Sequence, residues 1–288
     1  MRHVYECPMR WADLDLLGHV NNVVYVDYLQ EARVDMIRKH VPASRPEGAE
    51  LTEGVVVVRH EVSYLAPLTF RFRPIRIECW VTELRAASFT MGYEVFDEDD
   101  AGRRTTYLRA TTVLTPYVFA TGRPRRISET EREILTRFLE PTEKRPRVKL
   151  DPPPEDTRAH FPLYVRFSDV DVYGHVNNVK YFEYFQESRI QMLSGLTPGL
   201  GHEHETLGVV VAQTDVDYRV PILFREEPYD VWAHVSHVGN KSFTIESEIR
   251  DGDTLLSRAR VVVVVFDAQT QRSTEPSAEY RARLTRAS

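Results

Sequence analysis

Two segments of the chain combine carboxylate, glycine, histidine and amide side chains at one fixed spacing. They read Asp13-Leu-Asp15-Leu-Leu-Gly18-His19-Val-Asn21-Asn22 and Asp169-Val-Asp171-Val-Tyr-Gly174-His175-Val-Asn177-Asn178. A carboxylate can act as a general base or as a nucleophile, and a histidine can carry a proton near neutral pH. Backbone N–H groups at the start of a helix can polarise a carbonyl group. A polarised carbonyl beside an ionised carboxylate is an arrangement suited to hydrolysis. The residues needed for it occur twice in this chain.

The two segments belong to a longer repeat, which indicates an internally duplicated protein. Among the 24 residue pairs from Arg10/Arg166 to Arg33/Arg189, 14 are identical at a constant offset of 156. In a chain of 288 residues this duplication predicts two domains of ordinary size. The intervening segment carries five prolines and many charges, which favours an extended connector. We therefore predict one domain at 1–140, a Pro-rich linker at 141–158 and a second domain at 159–288.

Composition and charge exclude several classes of protein. With 42% hydrophobic and 28% charged residues, the chain has the composition of a soluble globular protein. Neither an apolar run of roughly 18 residues nor a secretory signal is recognisable, so we expect a cytoplasmic protein without a membrane partner. The formal net charge of −6 predicts no general attraction for nucleic acid. Cys7 and Cys79 have no counterparts in the second half, which favours packing roles over a disulfide, metal ligands or a nucleophile pair.

The elements that must position these residues follow from hydrophobic periodicity. From Asn21 to about His40, apolar and aromatic residues recur at the spacing of a helix with one buried face, and the second copy repeats them. The two stripes are Tyr25, Tyr28, Leu29, Ala32 and Met36, and Tyr181, Tyr184, Phe185, Ser188 and Met192. Runs rich in β-branched residues then predict four strands and a short surface helix in each half. One long helix followed by an antiparallel meander predicts an α+β architecture.

The chemical segment lies where a strand ends and the long helix begins. Gly18 and Gly174 permit a sharp turn or a close approach of the backbone, and paired asparagines are strong helix caps. The partial positive charge of the helix N-terminus should keep a nearby carboxylate ionised, which suits Asp15 and Asp171 for the role of base or nucleophile. The alternative is a turn carboxylate that accepts backbone N–H bonds. Recurrence of the whole segment favours catalysis.

On these residues the chain resembles the hotdog-fold acyl-CoA thioesterases of the 4-hydroxybenzoyl-CoA thioesterase type. The resemblance rests on Asp15…Gly18-His19-Val20-Asn21-Asn22…Tyr25…Glu31-Ala32-Arg33 and its second copy, and on Tyr64/Pro67, Tyr218/Pro221, Ser88 and Ser242. It implies tandem hotdog folds, each a long central helix wrapped by a curved antiparallel sheet, that form a pseudo-dimer within one chain. It also implies catalytic carboxylates at Asp15 and Asp171 and carbonyl-polarising amides at Asn22 and Asn178.

Other positions receive roles by the same resemblance or by their place beside the motif. His19 and His175 either orient the carboxylate, hand a proton to the departing thiolate, or hold the loop as buried histidines. Asp13 and Asp169 are assigned to bonding or positioning the turn, because the family pattern puts the chemistry on the second aspartate. Glu31 and Glu187 are expected to form structural polar pairs, with Arg33 and Arg189 pointing elsewhere. Candidate substrate contacts are Gly18, Gly174, Tyr25, Tyr181, Ser88 and Ser242, with Arg85 and Lys241 suggested for phosphate groups.

The predicted activity is hydrolysis of acyl-CoA, or of acyl carrier protein thioesters, without a metal or another cofactor. Asp13, Asp15 and His19 could be mistaken for metal ligands, and so could His202-Glu203-His204, but the second group lacks helical spacing and occurs once. No Gly-x-Ser-x-Gly elbow is present, which excludes that class of serine hydrolase. Two alternatives stay open: hotdog hydratase or dehydratase chemistry, and a non-catalytic acyl-CoA-binding sensor. Association of two chains into a pseudo-tetramer is also predicted.

Overall fold

The protein is described from a computed structural model, which divides into two compact units, Met1–Pro146 and Arg147–Ser288. The residues described are 1–41, 52–142, 159–198, 207–267, 269–270 and 272–287. The boundary between the units falls within the predicted linker, most of which lies outside the described residues. The predicted loop His202-Glu203-His204 also lies outside them.

The N-terminal unit contains one long helix, one short helix and an antiparallel sheet. Its elements are strand β1 (His3–Cys7), helix α1 (Val24–His40), strands β2 (Glu53–Tyr64), β3 (Ile75–Leu84), β4 (Phe89–Glu98), β5 (Arg104–Val118) and β6 (Arg123–Pro124), and helix α2 (Glu129–Arg137). The strands pair in the order β1-β3-β4-β5-β2, and β6 adds a short pair to β5. All these pairs are antiparallel, as the predicted meander requires.

The C-terminal unit repeats this plan. Its elements are β7 (His160–Leu163), α3 (Lys180–Leu196), β8 (Leu207–Tyr218), β9 (Tyr229–Val238), β10 (Ser242–Asp251), β11 (Thr254–Asp267), β12 (Arg272–Ser273) and α4 (Ala278–Arg286). The antiparallel order is β7-β9-β10-β11-β8, the same order as in the first unit. The strands and short helices predicted from sequence are present, with ends that move by a few residues. The curvature of each sheet around its helix and the pseudo-dimer stay predictions.

The apolar stripe predicted for each long helix is its buried face. In α1, Leu29 and Ala32 are 0% exposed, and the other stripe residues of α1 and α3 are also buried. Burial of a leucine side chain contributes about 1.5–3 kcal/mol, and such contacts hold the helix to its sheet. The helix also buries Arg33, whereas Glu31 is exposed. Burial lowers the pKa of the His60 imidazole, and the positive charge of Arg33 adds to that decrease.

Both cysteines are free and buried, in agreement with the predicted packing roles. Burial raises the pKa of the Cys7 and Cys79 thiols to about 12, so neither is a thiolate at neutral pH. The Cys79 thiol lies 3.7 Å from the Met36 sulfur, which shows that this face of β3 packs on α1.

A carboxylate near the end of α1 ties the first strand to the helix. Asp35 is buried and lies 3.0 Å from His3 Nε2, 3.1 Å from Arg38 Nη2 and 2.9 Å from Lys39 Nζ. Burial alone would raise its pKa, but the hydrogen bonds from Lys39, Arg38 and His3 outweigh that effect and lower the pKa of Asp35 to about 2.

Candidate active site

The second aspartate of each motif, Asp15 or Asp171, lies in a tight turn that a glycine with a positive φ closes. In the first copy the Asp15 N–H donates to the His19 carbonyl at 2.8 Å, and the Gly18 N–H donates to the Asp15 carbonyl at 3.0 Å. The bonds of Asp171, His175 and Gly174 have the same two lengths. The φ angles are +76° at Gly18 and +78° at Gly174, and a Cβ there would meet nothing within 4 Å. The glycines therefore serve the left-handed turn, and a close approach of a substrate to their backbone stays a prediction.

The carboxylates of Asp15 and Asp171 are held by amides of their own turns. The Asp15 Oδ1 accepts from the Leu17 N–H at 2.8 Å and from the His19 N–H at 3.2 Å. The Asp171 Oδ1 accepts from the Tyr173 N–H at 2.9 Å. This is the turn-bonding expected of the non-catalytic alternative, but it engages one oxygen. In the described part of the chain, no donor to the second oxygen of Asp15 is found, and the residue is half-buried.

The start of each long helix is fixed by backbone bonds. The Asn21 N–H donates to the Asp13 carbonyl at 2.8 Å, and the Asn21 carbonyl accepts from the Val24 N–H at 3.0 Å. The Tyr64 hydroxyl donates to the Asn22 carbonyl at 2.9 Å. Among the described residues, none accepts a hydrogen bond from the Asn22 N–H. Asn177 and Asn178 occupy the matching positions of the second copy.

The asparagines were expected to cap the helix, and their role differs from that expectation. The N-cap residues are Val23 and Val179, and neither makes a side-chain cap. The Asn21 Oδ1 instead accepts from the Val23 N–H, and Asn177 does the same for Val179, both at 3.3 Å. Each asparagine thus forms a turn just before the helix, because its short amide reaches the N–H two residues on.

Asp13 and Asp169 are buried anchors of the turn, as the sequence predicted. Asp13 is 3% exposed and accepts from the Arg10 N–H at 2.8 Å and from the Arg10 Nε at 3.0 Å. The Tyr28 hydroxyl donates to the same carboxylate, and Tyr184 donates to Asp169 at 2.7 Å. Burial, together with this hydrogen bond, raises the pKa of Tyr28 and Tyr184, so both tyrosines stay protonated donors.

Tyr25 and Tyr181, predicted to contact substrate, are buried beside the turns. The Tyr181 hydroxyl accepts a hydrogen bond from the Ile222 N–H at 3.0 Å. The Tyr25 hydroxyl likewise forms a hydrogen bond with the backbone of Leu68. Burial raises the pKa of both phenols, and the charge of Asp15 or Asp171 adds a smaller increase to the pKa of the tyrosine in its own unit. Any contact of these hydroxyls with a substrate stays a prediction.

The histidines of the motif contribute their backbone to the turn. His19 pairs with Thr69 in an isolated bridge, and the Val20 N–H donates to the Leu68 carbonyl at 2.8 Å. These bonds attach the turn to the loop between β2 and β3. His19 is half-buried, and its imidazole forms no hydrogen bond with another described residue.

The hairpin residues predicted to bind substrate lie at the other end of β3 and β9 in their own units. The Ser88 carbonyl accepts from the Arg85 N–H at 2.8 Å, and the Ser242 carbonyl accepts from the Gly239 N–H at 2.7 Å. Arg85 pairs with Glu83 at 2.9 Å, and the Lys241 Nζ donates to the Ser273 carbonyl at 3.2 Å. A ten-residue strand spans about 33 Å. Within one unit, therefore, the structure does not bring Ser88 and Arg85 to the Asp15 turn.

A cavity of about 710 Å³ opens on the outer face of the first sheet, away from the turn. Trp80 lies there over Gly92, where an added Cβ would come within 2.8 Å of the indole. Their counterparts in the second sheet, by strand pairing, are His234 and Glu246. Arg85 is the one predicted site residue that lines this cavity.

The described ranges show neither a metal-binding cluster nor a membrane-spanning helix. They contain no group of three or more His, Cys, Asp or Glu side chains arranged to hold a metal ion. Among the same residues, no helix combines the length and the apolar character needed to cross a bilayer.

Sequence comparison matches nearly the whole chain to one family. The sequence model of the Thioesterase-like superfamily matches residues 9–161 and again residues 165–284. The chain belongs to the Thioesterase-like superfamily. Both motifs fall inside the matched ranges, so each copy of the superfamily unit carries its own turn, helix start and aspartate.

Individual relatives match either part of this superfamily member or nearly all of it. The uncharacterized protein YsmA of Bacillus subtilis (strain 168) is 32% identical over 122 residues, which cover 40% of this chain and 81% of that protein. The 12:0-ACP thioesterase of Umbellularia californica has a TM-score of 0.71 at 17% identity, with 92% of this chain and 94% of that chain covered. An acyl-ACP thioesterase of Bacteroides thetaiotaomicron has a TM-score of 0.61 at 14% identity, with 91% and 97% covered. These two solved structures share the hotdog-like fold across both units.

Four tyrosines that the sequence singles out have hydroxyl roles at the site that the sequence did not predict. Tyr28 and Tyr184 hold the buried carboxylates, and Tyr64 and Tyr218 hold the helix start. One signal could have found them, since all four positions are identical between the two copies. Their hydrogen-bond partners could not be read from spacing, because they lie on other elements.

Proposed function

We propose that the chain hydrolyses acyl thioesters at two sites, one in each copy of the motif. The observation that supports this proposal is the pairing of uncommitted groups on one short segment: the second oxygen of Asp15 and the N–H of Asn22. The first can take up a proton or attack a carbonyl carbon, and the second can stabilise the oxyanion that forms. Membership of the Thioesterase-like superfamily agrees with hydrolysis of a thioester.

In the proposed reaction, the thioester carbonyl oxygen accepts a hydrogen bond from the Asn22 N–H. Asp15 removes a proton from a water molecule, the water oxygen attacks the carbonyl carbon, and the oxyanion forms at the helix start. Collapse of this intermediate breaks the C–S bond and releases a carboxylic acid and a thiolate, which is then protonated. His19 is proposed to supply that proton. Asp171, Asn178 and His175 have the same roles in the second copy.

A second route uses the same groups with a different first bond. The Asp15 carboxylate attacks the carbonyl carbon itself, and a mixed anhydride forms as the thiolate leaves. Water then hydrolyses the anhydride, which regenerates the carboxylate and releases the acid. Hydrolysis in H₂¹⁸O separates the routes, because a single turnover of the anhydride route can leave ¹⁸O in the aspartate.

The proposed substrate is an acyl-CoA, with an acyl carrier protein thioester as the alternative carrier. The carrier alternative has support in the two solved structures named above, which are described as ACP thioesterases and cover both units of this chain. For CoA, we propose that Arg85 and Lys241, which are exposed, meet phosphate groups. Ser88, Ser242, Gly18, Gly174, Tyr25 and Tyr181 are proposed as the remaining contacts.

The test is thiol release from a panel of acyl-CoA and acyl-carrier substrates. Asp15→Asn and Asp171→Asn should each remove about half of the activity, and the double variant should retain almost none. Asp27→Asn, a change in the first turn of α1 outside the motif, is the control. Full activity in the double variant would contradict the catalytic assignment. Binding of acyl-CoA by calorimetry without thiol release would favour the non-catalytic sensor.

A further inference from the structure

We propose that Tyr64 and Tyr218 are positioning residues that fix the peptide at the start of each long helix, so that the Asn22 and Asn178 amides face the substrate carbonyl. This inference rests on the proposed thioester hydrolysis. Neither tyrosine needs to touch the substrate, because each acts through a backbone carbonyl.

The same long-range hydrogen bond occurs in both copies. The Tyr64 hydroxyl donates to the Asn22 carbonyl at 2.9 Å, and the Tyr218 hydroxyl donates to the Asn178 carbonyl at 2.8 Å. The bonded residues are 42 and 40 positions apart in sequence. Each tyrosine is the last residue of its strand, β2 or β8. The bond therefore connects the end of a strand to the segment that carries the candidate oxyanion amide.

The hydrogen bonds of the backbone around Asn22 show what the Tyr64 hydroxyl contributes. The Asn21 carbonyl, which shares a peptide plane with the Asn22 N–H, accepts from the Val24 N–H, and the Asn21 N–H, in the preceding peptide, donates to the Asp13 carbonyl. On the other side of Asn22, the Tyr64 hydroxyl holds the carbonyl, and the Asn21 side chain holds the next N–H at 3.3 Å. The carbonyl of Asn22 precedes the first regular turn of the helix, so without Tyr64 it would exchange this fixed donor for water.

The tyrosines are themselves held rigidly. The Tyr64 ring packs on Tyr25 with centroids 5.8 Å apart at 70°, and the Tyr218 ring packs on Tyr181 at 4.9 Å and 66°. Behind Tyr64 the chain is fixed again, because the Leu65 N–H donates to the Tyr107 carbonyl at 2.8 Å. A donor anchored on a sheet is a better reference for the helix start than a donor on a mobile loop, since catalysis depends on sub-ångström placement of an oxyanion amide.

The experiment removes the hydroxyls and keeps the rings. Tyr64→Phe, Tyr218→Phe and the double variant are compared with Tyr229→Phe. The Tyr229 hydroxyl donates to the Leu223 carbonyl at 3.0 Å and accepts from the Leu223 N–H at 3.3 Å, so its removal controls for the loss of hydrogen bonds between a tyrosine and the backbone. The double variant should lose about tenfold or more in kcat with KM within about twofold, because the substrate contacts remain while the amide is no longer aligned. The Tyr229 variant should keep kcat.

Amide hydrogen exchange gives a readout that does not depend on catalysis. Exchange of the Val23 N–H should be faster in Tyr64→Phe and unchanged in Tyr229→Phe. An unchanged kcat in the double variant of an active enzyme, or an equal decrease in the control, overturns the proposal. If the parent protein hydrolyses no thioester, the proposed function fails, and exchange then decides alone: unchanged rates at Val23 would refute positioning, and faster rates would support it.

Discussion

The two aspartates of each motif should respond to substitution in opposite ways. Asp13 and Asp169 are 3% and 4% exposed, and each accepts from a buried tyrosine hydroxyl and from the N–H of the arginine three residues before it. Asp15 and Asp171 are half-buried and accept from amides of their own turns. We predict that asparagine at the first pair lowers stability, and that asparagine at the second pair abolishes hydrolysis with little effect on stability.

The size of the effect at Asp13 follows from its partners. The Arg10 N–H and the Tyr28 hydroxyl share one carboxylate oxygen, and an asparagine oxygen can keep both. Its NH₂ group then faces the Arg10 guanidinium, which is 68% exposed and can turn to water. The buried NH₂ is left without an acceptor, at a cost of about 1–3 kcal/mol. For a unit of this size, about 2 kcal/mol lowers the Tm by roughly 4–8 °C.

Asparagine at position 15 should be almost neutral for stability. Its carbonyl oxygen can still accept from the Leu17 and His19 amides, and its NH₂ group can meet solvent. We expect a change within about 0.5 kcal/mol.

The assay compares two double variants. One combines Asp13→Asn and Asp169→Asn, and the other combines Asp15→Asn and Asp171→Asn. Thermal unfolding followed by circular dichroism gives the Tm, and thiol release is measured well below the lower Tm. The reasoning fails if the second double variant loses as much Tm as the first. It also fails if the first variant, while fully folded, loses as much kcat as the second, since Asp13 would then share the chemistry.

Three further predictions concern the framework. Asp35→Asn should lower the free energy of unfolding by about 1 kcal/mol at pH 7, a value reduced because solvent screens the exposed side chains of Arg38 and Lys39. The pKa of Asp35 is lower in the folded state than in the unfolded state, so the carboxylate stabilises the fold fully above about pH 4. In urea titrations the difference between the two proteins should therefore vanish towards pH 2. Gly92→Ala should destabilise by about 1–3 kcal/mol through its clash with the indole, whereas Gly195→Ala, in α3 with nothing within 4 Å, should be neutral or stabilise by up to about 1 kcal/mol in the same titrations. Ser128→Ala should cost about 1 kcal/mol and more than Ser277→Ala, because both serines accept from a helix N–H but only the first has a reciprocal glutamate; unequal losses in the reverse order would contradict this.

Much of the fold was predictable because its signals are local. The helix stripe around Leu29 and Ala32 has the period of an α-helix, and the β-branched runs end at turn residues. The predicted asparagine caps differ from the structure, in which the N-cap residues are the valines and the asparagines form the turn before them. The sequence could not separate the two cases, because an asparagine in such a turn and an asparagine at the N-cap have the same sequence signature. Burial of Arg33 was not foreseen, because a charged side chain gives no hydrophobic signal and its neighbour His60 lies on another element.

The candidate site was predictable in its residues but not in its bonds. Asp15, Gly18 and His19 are close in sequence, so a turn had to bring them together. The Tyr64 hydroxyl reaches Asn22 from 42 residues away, and no periodicity reports such a contact. The place of Ser88 could not be inferred either, because a strand of ten residues carries it away from the turn within its own unit.

Comparison of the two copies separates what the turn needs from what surrounds it. The bonds around the turn and helix start match closely: 3.0 and 2.9 Å for the N–H of Val24 and of Lys180, and 2.9 and 2.8 Å for the two strand-end tyrosines. The asparagines and tyrosines that make these bonds are identical in the two copies, and Val24 and Lys180, which differ, contribute only a backbone N–H, so the backbone geometry is reproduced. The flanking side chains differ, since Lys180 adds an ion pair with Glu183 at 2.7 Å where Val24 has no charge. The two sites have the same backbone geometry but different side chains around it, such as Val24 and Lys180. We therefore expect them to share the hydrolytic step and to differ in the acyl groups that they accept. The substrate profiles of the Asp15→Asn and Asp171→Asn variants should differ from each other. Identical profiles would show that the flanking side chains do not select the acyl group.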